Sequence, residues 1–117
     1  MTFSDDNDLF DFMKKHLYVA AVCDILDELG FRDQVMHQRL RPLLPDIRNC
    51  GFAGRALNIK WMETDYVDEN DPYGLEIEAL DSSKPGSVII HSRDSSGTNA
   101  PWGELMTTIA IQNGVVG

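Results

Sequence analysis

Lys84-Pro85-Gly86-Ser87-Val88-Ile89-Ile90-His91, continuing to Pro101-Trp102-Gly103-Glu104-Leu105-Met106 and Asn113-Gly114-Val115-Val116, is the stretch that decides the fold. Lys84-Pro85-Gly86 is a turn signal, because Pro presets one backbone angle and Gly accepts a positive one. Val88-Ile89-Ile90-His91 is a short β-branched run of the kind buried in a sheet. A loop rich in Ser, Gly and Asn over residues 92–101 leads into a helix from Trp102 to Gln112, ended by Asn113-Gly114. Val115-Val116 then begins another strand. Strand, helix and strand in this order predict a crossover unit of an α/β fold.

Upstream, Gly51 and Gly54 permit unusual backbone angles, Ala56-Leu57-Asn58-Ile59-Lys60-Trp61 contains an alternating pattern, and Phe52 to Met62 is expected to be a strand. Glu63 to Asp71 is an acidic loop, and Asp71-Pro72 suits the N-cap and first position of a helix through Leu80. Near the N-terminus, Ser4 offers an oxygen to free amides, and Asp5, Asp6 and Asp8 suit a helix start. Leu9, Phe10, Met13 and Leu17 give that helix one apolar side. A second helix is expected over Ala20 to Leu29, with Val22, Ile25, Leu26 and Leu29 at helical spacing and Gly30 closing it. Phe31 to Asn49 carries Pro42, Pro45 and no clean period, as in a surface connection. The organisation expected is a single domain over residues 1–117, with an N-terminal helical segment at 1–17 and the main body at 18–117.

Composition narrows the partners. The 117 residues are 43% hydrophobic with a net charge of −9, enough apolar material for one small core. That charge argues against nucleic acid, whose binding is driven by Lys and Arg displacing counterions from phosphates. It argues equally against anionic membrane surfaces, and no apolar run is long enough to span a bilayer. The acidic start, without a basic and apolar leader pattern, makes the cytoplasm the expected location. Cys23 and Cys50 have no CxxC spacing and are expected to be reduced thiols.

A loop that leaves a buried strand and enters a helix is suited to an anion, because unpaired amides and the helix dipole both face it. Here the amides belong to Gly103, Glu104, Leu105 and Met106, with Pro101 and Trp102 walling the approach. A small carboxylate would suit that place, and Glu104 could serve as an acid or base. Composition alone favours the ordinary alternative: Trp102 in the core, Gly103 a packing residue and Glu104 an acid stabilised by the dipole. Asp94, Ser95, Ser96 and Asn99 could add polar contacts, although any exposed loop contains such residues. His16, His37 and His91 show no metal-ligand spacing, and His91 is expected to be a hydrogen-bonded structural residue. No residue is assigned to a metal. GxGxxG, P-loop and GxSxG patterns are absent.

Three pieces, in order, resemble the regulator-of-ribonuclease-activity-A and 4-hydroxy-4-methyl-2-oxoglutarate aldolase family. They are Val22-Cys23-Asp24-Ile25-Leu26-Asp27-Glu28-Leu29-Gly30, then Gly51-Phe52-Ala53-Gly54-Arg55-Ala56, then Lys84 to Ile90 leading through Ala100-Pro101-Trp102-Gly103-Glu104-Leu105 to Asn113-Gly114-Val115-Val116-Gly117. The resemblance implies a swivelling β/β/α domain, assembled as a homotrimer or hexamer, with sites between subunits. It implies a divalent metal, magnesium or manganese, and cleavage of 4-hydroxy-2-oxo acids to pyruvate, often with oxaloacetate decarboxylation. On this likeness Trp102, Gly103, Glu104, Leu105 and Met106 bind the small 2-oxo acid substrate, the 103–106 amides hold its carboxylate, and Glu104 positions a water for proton transfer. The family also has a non-enzymatic branch that binds and inhibits a ribonuclease, and that acidic regulator is the alternative. Family members carry an Arg-Asp pair after the strand that begins here at Val115: the Arg contacts substrate oxygens and the Asp anchors the metal. Arg93-Asp94 precedes Trp102 and no such pair follows it, so the chain is expected to lack the C-terminal part of the domain and to be inactive alone.

Overall fold

The structure, a computed structural model, describes residues 2–43, 51–93 and 99–117. The element order is α1 (Asp6–His16), α2 (Val19–Glu28), β1 (Arg55–Trp61), α3 (Gly74–Asp81), β2 (Ser87–Arg93) and α4 (Glu104–Gln112), a mixed α/β chain. It falls into two compact units, Met1–Ala53 and Gly54–Gly117.

In the first unit, α1 is capped by Asp5, whose carboxylate accepts from the Asp8 amide at 3.0 Å. The cap is thus one residue later than expected, and the Ser4 hydroxyl bonds the Asp8 carboxylate instead. Acids at its start and Lys14, Lys15 and His16 in its last turn complement the helix dipole. Helix α2 ends as its sequence predicts. The Phe31 amide donates to the Leu26 carbonyl at 2.8 Å and the Gly30 amide to Asp27 at 3.1 Å, a Schellman closure with Gly30 at φ +86°. Of its expected apolar stripe, Val22 and Leu26 are half-buried, while Ile25 and Leu29 are exposed. Residues 31–43 are exposed throughout, as a surface connection should be; Pro45 and Cys50 lie outside the described residues. Cys23 is a half-buried free thiol.

The second unit is a β–α–β crossover. Strands β1 and β2 pair in parallel, Leu57 opposite Ile89, Ile59 opposite His91 and Trp61 opposite Arg93. Alternation in β1 half-buries Leu57, Ile59 and Trp61 on one face and exposes Ala56, Asn58 and Lys60 on the other. Parallel neighbours need a crossover, and α3 lies within it. That helix starts at Gly74, later than the Asp71-Pro72 signal predicts. Pro72 and Tyr73 form a turn in which the Gly74 amide meets the Asp71 carbonyl, and the Asp71 carboxylate crowds the Gly74 α-carbon. The Lys84–Ser87 turn closes with the Ser87 amide on the Lys84 carbonyl at 2.9 Å, with Gly86 at φ +82°, the positive angle expected of it.

Leu80, Met106 and Ala110 are the buried apolar residues among those described, and they join α3 to α4. Asn113 locks the same contact, donating to the Leu80 carbonyl at 3.2 Å and to the Ser83 hydroxyl at 3.1 Å. Helix α4 starts at Glu104, two residues later than predicted, with Gly103 as N-cap. It ends in a second Schellman closure: Val115 donates to Ala110 at 2.9 Å and Gly114, at φ +75°, donates to Ile111 at 3.0 Å. Among the described residues the strand expected at Val115 is not formed, and the sheet has two strands. Val116 nevertheless donates to the Ser87 carbonyl and Ile89 donates to the Gly117 carbonyl, each at 2.8 Å. The adjacent Gly86 carbonyl accepts from Arg55 of β1. Since successive strand groups alternate sides, residues 115–117 follow the β2 edge away from β1.

Candidate functional site

The start of α4 is built as an open helix N-terminus. Gly103 has extended backbone angles and no side-chain cap bond is made, while its carbonyl accepts the first helical bond, from Thr107 at 3.0 Å. The amides of Gly103, Glu104, Leu105 and Met106 precede that first bond, so the helix itself offers them no partner. Gly103, Glu104 and Leu105 are exposed, and a Cβ placed on Gly103 would meet no atom within 4 Å. The structure therefore exposes three of the five expected substrate residues, Gly103, Glu104 and Leu105, in one turn. Met106 differs: its amide belongs to that turn, but its side chain is 8% exposed and serves the core.

Trp102 is half-buried and clamped. Its indole donates to the Thr107 hydroxyl at 2.8 Å, and that hydroxyl donates to the Gly103 carbonyl at 3.1 Å. The Trp102 ring therefore stands across the first turn of α4. Its other neighbour is His91, ring centroids 4.9 Å apart in an edge-on arrangement. His91 in turn accepts from the Trp61 indole through Nδ1 at 2.6 Å, with the two rings stacked at 5.8 Å.

His91 is thus hydrogen-bonded, as the sequence leads one to expect, but it is also more than a strand residue. A nitrogen that accepts from an indole N–H must be unprotonated, so the neutral ring carries its proton on Nε2. That Nε2 is buried and has no partner. Burial pushes the His91 pKa below its ordinary value of 6.5, favouring the same neutral form. His91, Trp102 and Thr107 line one side of a mostly apolar cleft of about 430 Å³, with Ile89, Ile111 and Val115 among its other walls. The volume lies within the range of small-molecule sites, about 300–1,000 Å³. Sequence reasoning missed the Trp61–His91–Trp102 cluster, because it depends on the parallel register of β1 on β2, which no local pattern discloses.

On the preceding loop, the Asn99 carbonyl accepts from Arg93 at 3.2 Å; Asp94, Ser95 and Ser96 lie outside the described residues. Among the described residues no group of three or more His, Cys, Asp or Glu comes together as metal ligands would. No helix among them is long and apolar enough to cross a membrane.

Residues 19–117 match the family model RraA-like, described as Aldolase/RraA. The chain belongs to the RraA-like family. No curated protein and no solved structure matches it. The RraA-like match spans α2, both strands and α4, including the Trp102–Met106 turn and the whole Trp61–His91–Trp102 cluster. The family holds both aldolases and ribonuclease regulators.

Proposed function

We propose that this RraA-like domain is the substrate-carboxylate part of a cytoplasmic lyase that releases pyruvate from 4-hydroxy-2-oxo acids and decarboxylates oxaloacetate. The observation that carries the proposal is the uncapped, exposed start of α4 within the family match. Amides of residues 103–106 would bind the carboxylate beside the 2-oxo group, helped by the positive end of the helix dipole. Trp102, held by Thr107 and His91, would wall the reacting carbons. Glu104 would orient a water that delivers or removes the proton at the carbon where the bond breaks. Its own negative charge opposes the incoming carboxylate, so it is better suited to proton transfer than to binding.

The divalent magnesium or manganese of this reading would act as a Lewis acid toward the 2-oxo group. Among the described residues no group of three or more His, Cys, Asp or Glu comes together to hold it. The swivelling β/β/α arrangement and a homotrimer or hexamer belong to the same proposal. Leu75 and Leu105, 84% and 80% exposed, are apolar side chains that such an assembly would cover.

The test is a coupled assay for pyruvate with added magnesium, using a 4-hydroxy-2-oxo acid and oxaloacetate. It is run on this chain and on a version extended through an Arg-Asp pair. Chelator-sensitive release by the extended version, with none by this chain alone, supports the proposal, and failure of the extended version on both substrates removes it. A second reading, a ribonuclease-binding regulator, is favoured by the net charge of −9, which would attract a basic partner. It calls for a salt-sensitive complex without turnover.

A further inference from the structure

We infer that His91 is a proton-operated positioning residue for the Trp102–Glu104 turn: neutral, it holds the turn in place, and protonated, it lets go. The inference rests on that turn being the substrate site, but its test does not need substrate.

Both tryptophans of the chain touch this one imidazole. Neutral His91 accepts from Trp61 through Nδ1 and packs edge-on against Trp102, whose indole is tied through Thr107 to the Gly103 carbonyl. A path of direct contacts therefore runs from β1 through His91 to the N-cap of α4. Protonation breaks it at a defined place. An imidazolium carries N–H on both nitrogens, so Nδ1 can no longer accept, and two N–H groups cannot share a separation of 2.6 Å. The ring or Trp61 must turn, and the contact with Trp102 turns with it. Burial of the ring also disfavours the cation.

Several ionisable groups of the described residues lie around His91. On β1 its cross-strand neighbour is the apolar Ile59, and Glu63 follows the end of that strand. On β2 the same face carries Arg93, like-charged to an imidazolium and engaged with the Asn99 carbonyl. From α4 the facing residues are Thr107, Ala110 and Ile111, and the acid of that first turn, Glu104, is exposed to solvent; Gly117, which bears the terminal carboxylate of this 117-residue chain, lines the same cleft as His91. Burial alone accounts for the lowered proton affinity.

The test follows the imidazole nitrogens, the two indole N–H groups and the 104–106 amides of the 15N-labelled whole chain by NMR, from pH about 7.5 to about 4.5. At neutral pH His91 should be protonated on Nε2 and not on Nδ1. Both indoles and the 104–106 amides should then shift together with the His91 titration, whose midpoint lies below 6.5. In His91→Gln, which can still accept from Trp61 and still donate, the indole positions should persist at neutral pH while this shared pH step disappears. The inference is overturned by a proton on Nδ1 at neutral pH, or by 104–106 amides that stay fixed while His91 titrates. Survival of the step in folded His91→Gln would overturn it equally. Should that variant not fold, the wild-type titration alone decides.

Discussion

Gly54 has its α-carbon against the Gly86 carbonyl, so close that any Cβ would collide with backbone, with the Val88 side chain a further contact at 3.0 Å. The register of β1 on β2 starts from this approach, since Arg55 donates to the same carbonyl at 3.1 Å. Gly54→Ala should therefore lower stability by roughly 1–3 kcal/mol, the usual cost of overpacking, measurable by urea titration. An unchanged midpoint would show that the strands can separate to admit the methyl. Glu104→Gln should lower turnover of an active form strongly while pyruvate binds as well or better, because the variant keeps the shape and loses the charge and the proton. Equal losses in binding and turnover would move Glu104 out of the proton-transfer role. His91 also makes stability depend on pH. Its folded-state pKa lies below the ordinary 6.5, so the unfolded chain takes up the proton first as pH falls. The His91 contribution should be full above pH 6.5 and decline as pH drops through that value toward the lower folded pKa, a slope that His91→Gln should remove. At this scale, Gly30, Gly86 and Gly114 were legible, because each serves a local turn or cap. That His91 is hydrogen-bonded was legible too, but its partners were not, because they lie thirty residues before it in β1 and just before α4.

Helices α3 and α4 meet through a small apolar contact fastened by one amide. Asn113→Ala removes donors to the Leu80 carbonyl and the Ser83 hydroxyl, and should cost about 1–3 kcal/mol because it leaves those part-buried acceptors unpaired. Leu80→Ala should cost about 2–5 kcal/mol, since Leu80 is only 2% exposed and its removal leaves a cavity. Thermal unfolding of the two variants checks both, and a loss at Leu80 no larger than at an exposed residue such as Leu75 would refute the placement of the core. Element types were readable from period and turn chemistry, as in β1, β2 and the two Schellman-closed helices. Element starts were less so. Ser4 and Asp5 compete for the same cap, and the Asp71-Pro72 signal is spent on a turn ahead of Gly74. The β–α–β unit also uses α3 as its crossover between paired strands, a pairing that sequence order permits without specifying.

For the whole molecule, the three sequence pieces and the family match over residues 19–117 agree, because they report a long-range pattern. The site was legible only as a helix start; its aromatic support required the fold. The exposed apolar side chains of α4, Leu105 and Ile111, lead us to expect self-association, with a trimer or hexamer in sedimentation analysis. A monomer at high concentration would count against sites shared between subunits. The most direct test of the proposed site is titration of the 15N-labelled chain with pyruvate, following every backbone amide. The expected result is saturable shifts centred on Gly103, Glu104, Leu105 and Met106, with the Trp102 indole responding alongside. Saturable binding that leaves those four amides unmoved, or no saturable binding at all, would contradict the placement of the carboxylate at the start of α4.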